Sequence, residues 1–305
     1  MTDKNLERFD SALYALPYGM TSVLRALPQK VKNEVQEIRL RAARPLMLTF
    51  NLKPAFVNKS SCISYEANDD VLMVSTADIF ETVKALCNNS IYSHVGEMKQ
   101  GFIAMRYGHR AGVAGNFSGD SVYDFTSVNI RIARQIFGAA DFLYDKYSSG
   151  GILIAGPPAS GKTTVLRDFI RQASNGGKRV TVVDTRGEIS ACHGGIIHND
   201  LGINADVLYG IEKSRGIELA LRTMCPEIIA FDEIGTLSEL DSVAQCISGG
   251  ADVIMTAHIG SLSELAERPL TRKIISGRYV KMVAVLSLEG EPQIFSRREL
   301  ARCLL

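Results

Sequence analysis

The stretch ILIAGPPASGKTT, at positions 152–164, places two glycines, a lysine and two threonines directly after a short apolar run. Its central part, GPPASGKT, fits the pattern G-x-x-x-x-G-K-[ST] of a phosphate-binding loop between a strand and a helix. Glycines let such a loop approach the phosphates closely, so that backbone N–H groups and the N-terminus of the helix face the anion. The sequence therefore predicts a nucleotide-binding loop made of Gly156, Pro157, Pro158, Ala159, Ser160, Gly161, Lys162, Thr163 and Thr164.

Lys162 and Thr163 give this loop its predicted chemistry. A buried lysine is costly unless a negative charge compensates it, and the β- and γ-phosphates of ATP would do so. The hydroxyl of Thr163 is placed to ligate Mg²⁺, so ATP and Mg²⁺ are the predicted ligands. The alternative interpretation is a glycine turn that only caps a helix, and it leaves a lysine at this spacing unexplained.

A second motif, IIAFDEIG, is an apolar strand that ends in two carboxylates. Alone, this pattern is common and can be a helix cap or a surface pair. It follows the phosphate-binding loop by about 70 residues, which favours a Walker B motif. Asp232 is then expected to hold Mg²⁺ through water, and Glu233 to orient and polarise the water that attacks the γ-phosphate.

Two further strand ends carry polar residues that can reach the same site. VVDTRGEI contains Asp184, Arg186 and Glu188, and Glu188 can approach the attacking water or the metal. A solvated loop is an equally good interpretation of that segment. TAH ends another strand, and His258 there can sense the γ-phosphate by hydrogen bonding, although a lone histidine at a strand end is usually structural.

These motifs need a sheet whose strands end at one edge. After SSGG, at 148–151, the apolar runs ILIA, VTVVD, IIAFD and VIMTA are typical of buried parallel strands. Helical patterns separate them, including GIELALRTM and a stripe formed by Leu237, Leu240, Ala244 and Ile247. We therefore predict an α/β fold in which residues 146–305 form a mostly parallel sheet with helices on both faces.

Residues 1–145 have a different texture, which predicts a smaller α/β domain. STADIFETVKAL opens with the capping-box pair Ser75 and Asp78 and continues with helical periodicity. VNIRIA alternates strictly, so its apolar residues lie on one face of a strand and Arg131 projects from the other.

The composition excludes broad classes of partner and location. The chain has 305 residues and a net charge of +1, so nucleic acid is not expected as a main partner. No apolar stretch approaches the ~20 residues that span a bilayer, and MTDKNLERFD is too polar for a signal peptide, so a cytoplasmic protein is expected. The six cysteines form no CxxC pair, which gives no support to a cysteine zinc site.

The four strand-end motifs, in this order, resemble the Walker A, Asp box, Walker B and His box of the type II/type IV secretion ATPase superfamily. LALRTMCPEIIAFDEIG is similar to the segment that leads into Walker B, and EIRLRAARPLMLTFNLKPAFV to a strand-turn-strand of the N-terminal domain. A closer resemblance is to the stage III sporulation protein AA family. It begins at about residue 35 and is carried by GFIAMRYGHRAGVAGN, NIRIARQI, GPPASGKTT, VVDTRGEIS and DEIG followed by TAH.

The resemblance implies a RecA-like P-loop ATPase domain, preceded by a regulatory domain, at the cytoplasmic base of a channel or secretion-like complex in endospore formation. It also implies a homo-oligomeric, hexameric ring that membrane-bound partner proteins of that complex recruit to the membrane. Two departures bear on the site. Thr185 stands where the sporulation family has an acidic residue, and Asp232 stands where the secretion ATPases have glycine.

Secretion ATPases, which the chain resembles, also use arginines of the N-terminal domain near the transferred phosphate. Arg131 is the predicted residue here, because it projects from the open face of its strand and a planar guanidinium suits the charge spread over a phosphoryl group. Arg106, Arg110 and Arg134 are competing candidates. A surface arginine that pairs with a local carboxylate is an equally good interpretation of each.

Two other functions compete with a secretion-type ATPase. A nucleic-acid-dependent ATPase would need a basic stripe with interleaved aromatic residues, whereas the net charge is near zero and the chain has no tryptophan. A scaffold that binds ATP without hydrolysing it would not need Glu233. Stimulation of ATP turnover by single-stranded DNA or RNA separates the first alternative from the favoured prediction.

Overall fold

The computed structural model describes residues 2–50, 53–99, 101–118 and 121–304. It divides into two compact units: an N-terminal unit of Met1–Gln135 with Cys192–His198, and a C-terminal unit of Ile136–Ala191 with Asn199–Leu305. The boundary predicted at 145/146 lies inside the C-terminal unit, because Ala140 and Leu143 pack in the core of that unit.

The N-terminal unit is built on an antiparallel sheet. Its strands are β1 (Glu37–Arg41), β2 (Arg44–Pro45), β3 (Met47–Phe50), β4 (Lys53–Val57), β5 (Ile63–Ser64), β6 (Met73–Val74), β7 (Ile103–Ala104), β8 (Arg110–Ser118) and β9 (Ser121–Arg131). Seven of them form one sheet in the order β5-β4-β3-β1-β9-β8-β7, and β2 pairs with β6. The helices are α1 (Thr2–Ala12), α2 (Tyr18–Arg25), α3 (Gln29–Glu34), α4 (Thr76–Leu86) and α5 (Val95–Lys99).

Both sequence patterns singled out in this unit form the predicted elements. Ser75 caps α4, and its side chain and that of Asp78 exchange hydrogen bonds with each other's backbone N–H, which is a capping box. In β9, Val128 and Ile130 are fully buried, whereas Arg131 lies on the exposed face. The alternation of VNIRIA therefore sets which side of the sheet faces the core.

A buried polar network in this unit centres on His109, which is 1% exposed. Its Nδ1 accepts a hydrogen bond from the backbone N–H of Ala133 at 2.9 Å, and its Nε2 donates to Ser11 Oγ at 2.9 Å. Burial, and secondly the charge of Arg8, lower the pKa of His109 to about 4. Arg8 itself donates to the carbonyl oxygens of Ala133, at 3.2 Å, and His198, at 3.3 Å.

The C-terminal unit alternates strands and helices. Its strands are β10 (Ile152–Gly156), β11 (Val180–Asp184), β12 (Ala205–Tyr209), β13 (Ile228–Phe231), β14 (Asp252–His258), β15 (Met282–Val285) and β16 (Gln293–Ser296). Its helices are α6 (Asp141–Tyr144), α7 (Lys162–Asn175), α8 (Lys213–Thr223), α9 (Leu237–Ser248), α10 (Glu264–Glu267), α11 (Pro269–Ser276) and α12 (Arg297–Leu304). Over the described ranges, no helix is long and apolar enough to cross a membrane.

The sheet of this unit has the order β12-β11-β13-β14-β10-β15-β16 and is parallel except for the pair β15–β16. Alternate residues of β10 enter opposite cores: Ile152 and Ile154 pack with α6 and α7, and Leu153 and Ala155 pack with α8, α9 and α11. Helices therefore cover both faces, and the predicted RecA-like α/β architecture is confirmed.

The buried face of α9 differs from the predicted stripe. Leu240 is buried as expected, but Val243 and Cys246 accompany it, whereas Leu237 and Ile247 are exposed. Two apolar stripes run along this helix at equivalent spacing, and periodicity alone does not choose between them. Thr236 caps the helix and forms a capping box with Glu239, which fixes how α9 begins.

Asp168 anchors the middle of α7 and is completely buried. Its Oδ1 accepts from Arg171 Nη2 at 2.7 Å. Its Oδ2 accepts from the backbone N–H of Ala140 at 3.0 Å and from Gln172 Nε2 at 2.9 Å. This carboxylate thus holds the start of α6 against the helix that begins at the phosphate-binding loop.

Candidate functional site

The predicted phosphate-binding loop connects β10 to α7 in the strand-loop-helix context that the motif requires. Gly161 has φ +89° and Ala159 has φ +62°, so the chain turns twice through the left-handed region before α7 begins. A Cβ on Gly156 would lie 2.7 Å from Ser160 Oγ and 2.8 Å from the carbonyl oxygen of Leu286. Only glycine fits this position, because any side chain would collide with the loop itself.

Lys162 is 6% exposed and bends back into the loop. Its Nζ donates to the carbonyl oxygens of Gly156 at 3.0 Å and Pro157 at 2.7 Å, and to His258 Nδ1 at 3.0 Å. Burial lowers the pKa of Lys162, and the charges of Asp232 and Glu233 oppose that shift. The ammonium group is therefore shielded from solvent, close to carboxylates and next to the loop, where a phosphate could pair with it.

Ser160 gives a second indication that the loop fits an anion. Its Oγ is buried and has no hydrogen-bond partner among the described residues. Unpartnered buried hydroxyls are rare in proteins, because a lost hydrogen bond in the interior is costly. The loop thus offers a hydroxyl, a buried ammonium and the first N–H groups of α7 to a phosphate.

The residues predicted to hold Mg²⁺ lie together. Thr163 Oγ1 donates to Asp232 Oδ2 at 2.7 Å, and Thr256 Oγ1 donates to the other carboxylate oxygen of Asp232. Hydroxyl and carboxylate oxygens suit Mg²⁺, which typically uses one or two protein oxygens together with phosphate and water. No cluster of three or more His, Cys, Asp or Glu side chains that could hold a metal occurs in the described part of the chain.

Glu233 occupies the turn directly after β13 and has a left-handed backbone, with φ +56°. Its N–H donates to Thr256 Oγ1 at 2.7 Å. Its half-exposed carboxylate lies 3.4 Å from Arg186 Nη1 and 3.5 Å from His258 Nε2. Because His258 also contacts Lys162, the ends of β10, β13 and β14 bring the predicted lysine, glutamate and histidine into one line of contacts.

The loop after β11 is organised by Asp184 and Arg167. The buried Asp184 carboxylate accepts from the N–H of Glu188 at 3.0 Å and from the N–H and hydroxyl of Ser190 at 2.8 and 2.6 Å. Arg167, in α7, donates to the carbonyl oxygens of Glu188 at 2.8 Å and Ile189 at 3.1 Å. Asp184 is thus occupied in shaping this loop, and Glu188 is the carboxylate it presents.

A cavity of about 310 Å³ lies between the end of β11 with its following loop, the start of α8, the turn after β13 and the start of α9. It is lined by residues from four segments: Val183, Asp184, Thr185, Arg186, Glu188, Glu212, Lys213, Asp232, Glu233, Gly235 and Glu239. Three residues here were not predicted from the sequence: Lys213, Glu239 and Thr256. Thr256 donates to Asp232 and accepts from the N–H of Glu233. Thr256 directly precedes Ala257 and His258 in the quoted TAH motif, so its position offered the one available signal.

The candidate arginines all lie in the N-terminal unit. The Arg131 side chain is exposed, and its Nε donates to Glu37 Oε1 at 3.2 Å. Arg134 donates to the carbonyl oxygens of Asn33 and Val35, at the C-terminal end of α3, so it stabilises that helix. Arg110 lies over the ring of Phe102, 4.5 Å from its centroid, and Arg106 is exposed.

Comparison with known proteins identifies relatives over almost the whole chain. The family described as sporulation stage III, protein AA, matches residues 12–298. Stage III sporulation protein AA of Bacillus subtilis (strain 168) is 35% identical in an alignment 296 residues long that covers 92% of each chain.

Two solved structures resemble the fold. The ATPase DotB of Yersinia pseudotuberculosis has a TM-score of 0.59 at 13% identity, covering 87% of this chain and 75% of that one. The pilus retraction motor PilT with bound ADP has a TM-score of 0.58 at 15% identity, covering 90% of this chain and 85% of that one. At these identities the likeness shows the fold alone.

Proposed function

The chain belongs to the sporulation stage III protein AA family, and from this premise we propose that it is an ATPase. ATP hydrolysis would drive the assembly or operation of a membrane channel or secretion-like complex during endospore formation. The observation that carries the proposal is the line of contacts from Lys162 through His258 to Glu233 beside a phosphate-binding loop. A scaffold that only binds a nucleotide would not need a carboxylate there.

The phosphate-binding loop would hold the β- and γ-phosphates of ATP. Lys162 would exchange its carbonyl partners for phosphate oxygens, while the N–H groups at the start of α7 face the same anion. Mg²⁺, when bound, would neutralise part of the phosphate charge, and Thr163 and Asp232 are the residues that would hold it.

Glu233 is the proposed residue that handles the attacking water. The water oxygen forms a bond to the γ-phosphorus as the bond to the bridging oxygen of ADP breaks, and the proton of the water passes to a carboxylate. Glu188, which lines the same cavity, is the alternative acceptor. His258 accepts from Lys162 at Nδ1, so it would detect the moment at which Lys162 turns to a phosphate.

We extend the proposal to a hexameric ring that membrane-bound partner proteins recruit from the cytoplasm. The resemblance to secretion ATPases supports this extension, because motors of that kind act on membrane complexes as rings. The experiment is co-purification from sporulating cells. Recovery of a membrane protein with the chain, together with a ring in mass photometry, is the expected result, and a monomer without partners would contradict it.

The test of the nucleotide site is an ATP titration of the full chain and of Lys162→Ala. We expect the variant to lose ATP binding and to keep its thermal midpoint, because within the described residues Lys162 Nζ hydrogen-bonds only to loop carbonyls and His258. Lys178→Ala is the matched control, since Lys178 pairs at the surface with Glu227. Unchanged ATP affinity in the Lys162 variant would remove the loop from the proposed site.

A further inference from the structure

We propose that Lys213 is a positioning residue for Glu233. Lys213 acts through the main chain of the turn after β13 and not on the nucleotide. This inference rests on the proposed ATPase function, because it assigns Lys213 a part in the orientation of the carboxylate that handles the water. It concerns a residue outside the four strand-end motifs.

Lys213 is the first residue of α8, and both its backbone and its ammonium group are held by neighbouring residues. The backbone there is held because the carboxylate of Glu212 accepts from the N–H groups of Ser214 and Arg215 at 3.1 and 3.0 Å. The side chain is 12% exposed, and its Nζ lies 5.5 Å from the centre of the Phe231 ring. The ammonium group therefore lies against the last residue of β13 in a site with little freedom.

The ammonium group of Lys213 closes a ring of contacts around the turn. It donates to the carbonyl oxygen of Glu233 and, at 3.2 Å, to Glu239 Oε1. The other oxygen of Glu239 accepts from the N–H groups of Gly235 at 2.8 Å and Thr236 at 3.3 Å. Lys213 and Glu239 together hold the turn by its carbonyl on one side and by its N–H groups on the other.

The turn needs this support because Glu233 has a left-handed backbone, with φ +56°. A glutamate adopts that region only when its surroundings impose it, and such strain gathers at functional sites. Thr256 Oγ1 accepts from the N–H of Glu233, whereas Lys213 is the side chain that binds its carbonyl. Without Lys213 the peptide group after Glu233 loses the hydrogen bond to its carbonyl oxygen. The Glu233 carboxylate then loses its fixed orientation.

Lys213 is also separated from the phosphate-binding loop. Within the described residues, its hydrogen bonds and ion pair are to Glu233 and Glu239 and include none of residues 156–164. A substitution of Lys213 should therefore leave nucleotide affinity close to the wild-type value. It should lower the rate at which bound ATP is hydrolysed, since only the geometry of Glu233 is disturbed.

The kinetic test uses Lys213→Met, which keeps the apolar stem and removes the ammonium group. We expect ATP affinity within about 2-fold of wild type and kcat lower by about 10- to 100-fold, the size that misplacement of a catalytic group produces. Lys213→Arg keeps charge and donors and should retain most of the turnover. Lys178→Met is the control, because Lys178 pairs with Glu227 away from the site.

A double-variant cycle distinguishes positioning from a general structural role. If Lys213 acts through Glu233, adding Lys213→Met to Glu233→Gln should lower kcat no further than Glu233→Gln alone. Full multiplication of the two losses would overturn the assignment, as would wild-type kcat in Lys213→Met. Loss of both affinity and turnover in Lys213→Met would likewise overturn it.

Amide hydrogen exchange provides a readout that does not depend on ATP turnover. The N–H groups of Gly235 and Thr236 should exchange faster in Lys213→Met than in wild type, because Glu239 loses the partner that orients it. They should not change in Lys178→Met. Unaltered exchange would exclude the positioning role even if the wild-type chain showed no hydrolysis, a result that would by itself refute only the proposed function.

Discussion

At the residue scale, the proposed role of the Glu233 carboxylate leads to a prediction about ATP turnover. Glu233→Gln keeps the shape and hydrogen-bonding ability of the side chain but cannot take a proton. We expect retained ATP binding and turnover slower by at least about 10²-fold, the usual size of a general-base contribution.

Glu188→Gln, measured in parallel, is the matched comparison, because Glu188 lines the same cavity on the neighbouring loop. Normal turnover in the Glu233 variant combined with a large loss in the Glu188 variant would transfer the role to Glu188. Equal modest losses in both would indicate that neither carboxylate takes the proton.

His109 predicts how the stability of the N-terminal unit depends on pH. Its pKa is about 4 in the folded chain, below the ordinary value of 6.5, because burial disfavours the charged ring. The unfolded chain therefore binds the proton first as the pH falls. This group's contribution is fully present above pH 6.5 and is lost as the pH drops through about 4, a change of roughly 3 kcal/mol.

Urea unfolding at pH 7 and pH 4.5 checks this, with pulse proteolysis to follow peptides of the N-terminal unit. His109→Gln can still accept from Ala133 and donate to Ser11, but it does not titrate. The pH dependence of the variant should be flatter than that of wild type. Parallel curves for the two chains would show that His109 does not titrate in this range.

At the element scale, the buried carboxylate of Asp168 links α7 to the start of α6. Asp168→Ala should lower the free energy of unfolding by about 3–5 kcal/mol, because it leaves the Arg171 guanidinium without its buried partner. Asp168→Asn keeps acceptor capacity and should cost less, about 1–3 kcal/mol.

Urea titrations of the full chain measure both changes. Asp241→Asn, at an exposed position of α9, is the control and should stay within about 0.5 kcal/mol of wild type. A loss in Asp168→Ala no larger than in that control would mean that α6 and α7 do not depend on this carboxylate.

Elements whose residues carry chemical or periodic patterns could be predicted from the sequence. β10, β11, β13 and β14 were visible as apolar runs that end in polar motifs, and parallel topology then brings those ends to one edge. The outer strands β12, β15 and β16 carry no such motif and were not predicted. In α9 two apolar stripes compete, so only the packed structure decides between Ile247 and Val243.

Contacts to the main chain are one part of the site that sequence patterns did not reveal. Lys213 binds a carbonyl oxygen, and any residue type supplies a carbonyl, so no pairing of side chains marks the contact. Asp184 illustrates the converse. Its position at a strand end resembles that of Asp232, but its carboxylate accepts from the backbone of its own loop.

At the scale of the whole molecule, variants of Arg131 can test whether one copy of the chain completes the proposed site of another. Lys162→Ala and Arg131→Ala should each be nearly inactive alone. The first variant would lose ATP binding, and the second would lose the arginine that stabilises charge developing during phosphoryl transfer. If the arginine acts between copies in a ring, an equimolar mixture should recover about a quarter of wild-type turnover by random assembly.

Arg106→Ala and Arg110→Ala, mixed with Lys162→Ala in the same way, serve as comparisons. If the mixture turned over ATP no faster than the average of the two variants measured separately, Arg131 would not act on the site of a neighbouring copy. Normal turnover of Arg131→Ala alone would leave its bond to Glu37 as its role and move the search to the other arginines.

The assignment of Cys192–His198 to the N-terminal unit has a practical consequence for dissecting the protein. A fragment that starts at residue 136 would retain this segment but lack Arg8, whose guanidinium binds the carbonyl oxygen of His198, and Tyr107, whose ring centre lies 4.5 Å from that of His198. The two units are therefore not separable by a single cut in the gene. A fragment limited to the C-terminal unit would require the segment between Ala191 and Asn199 to be replaced by a short polar linker.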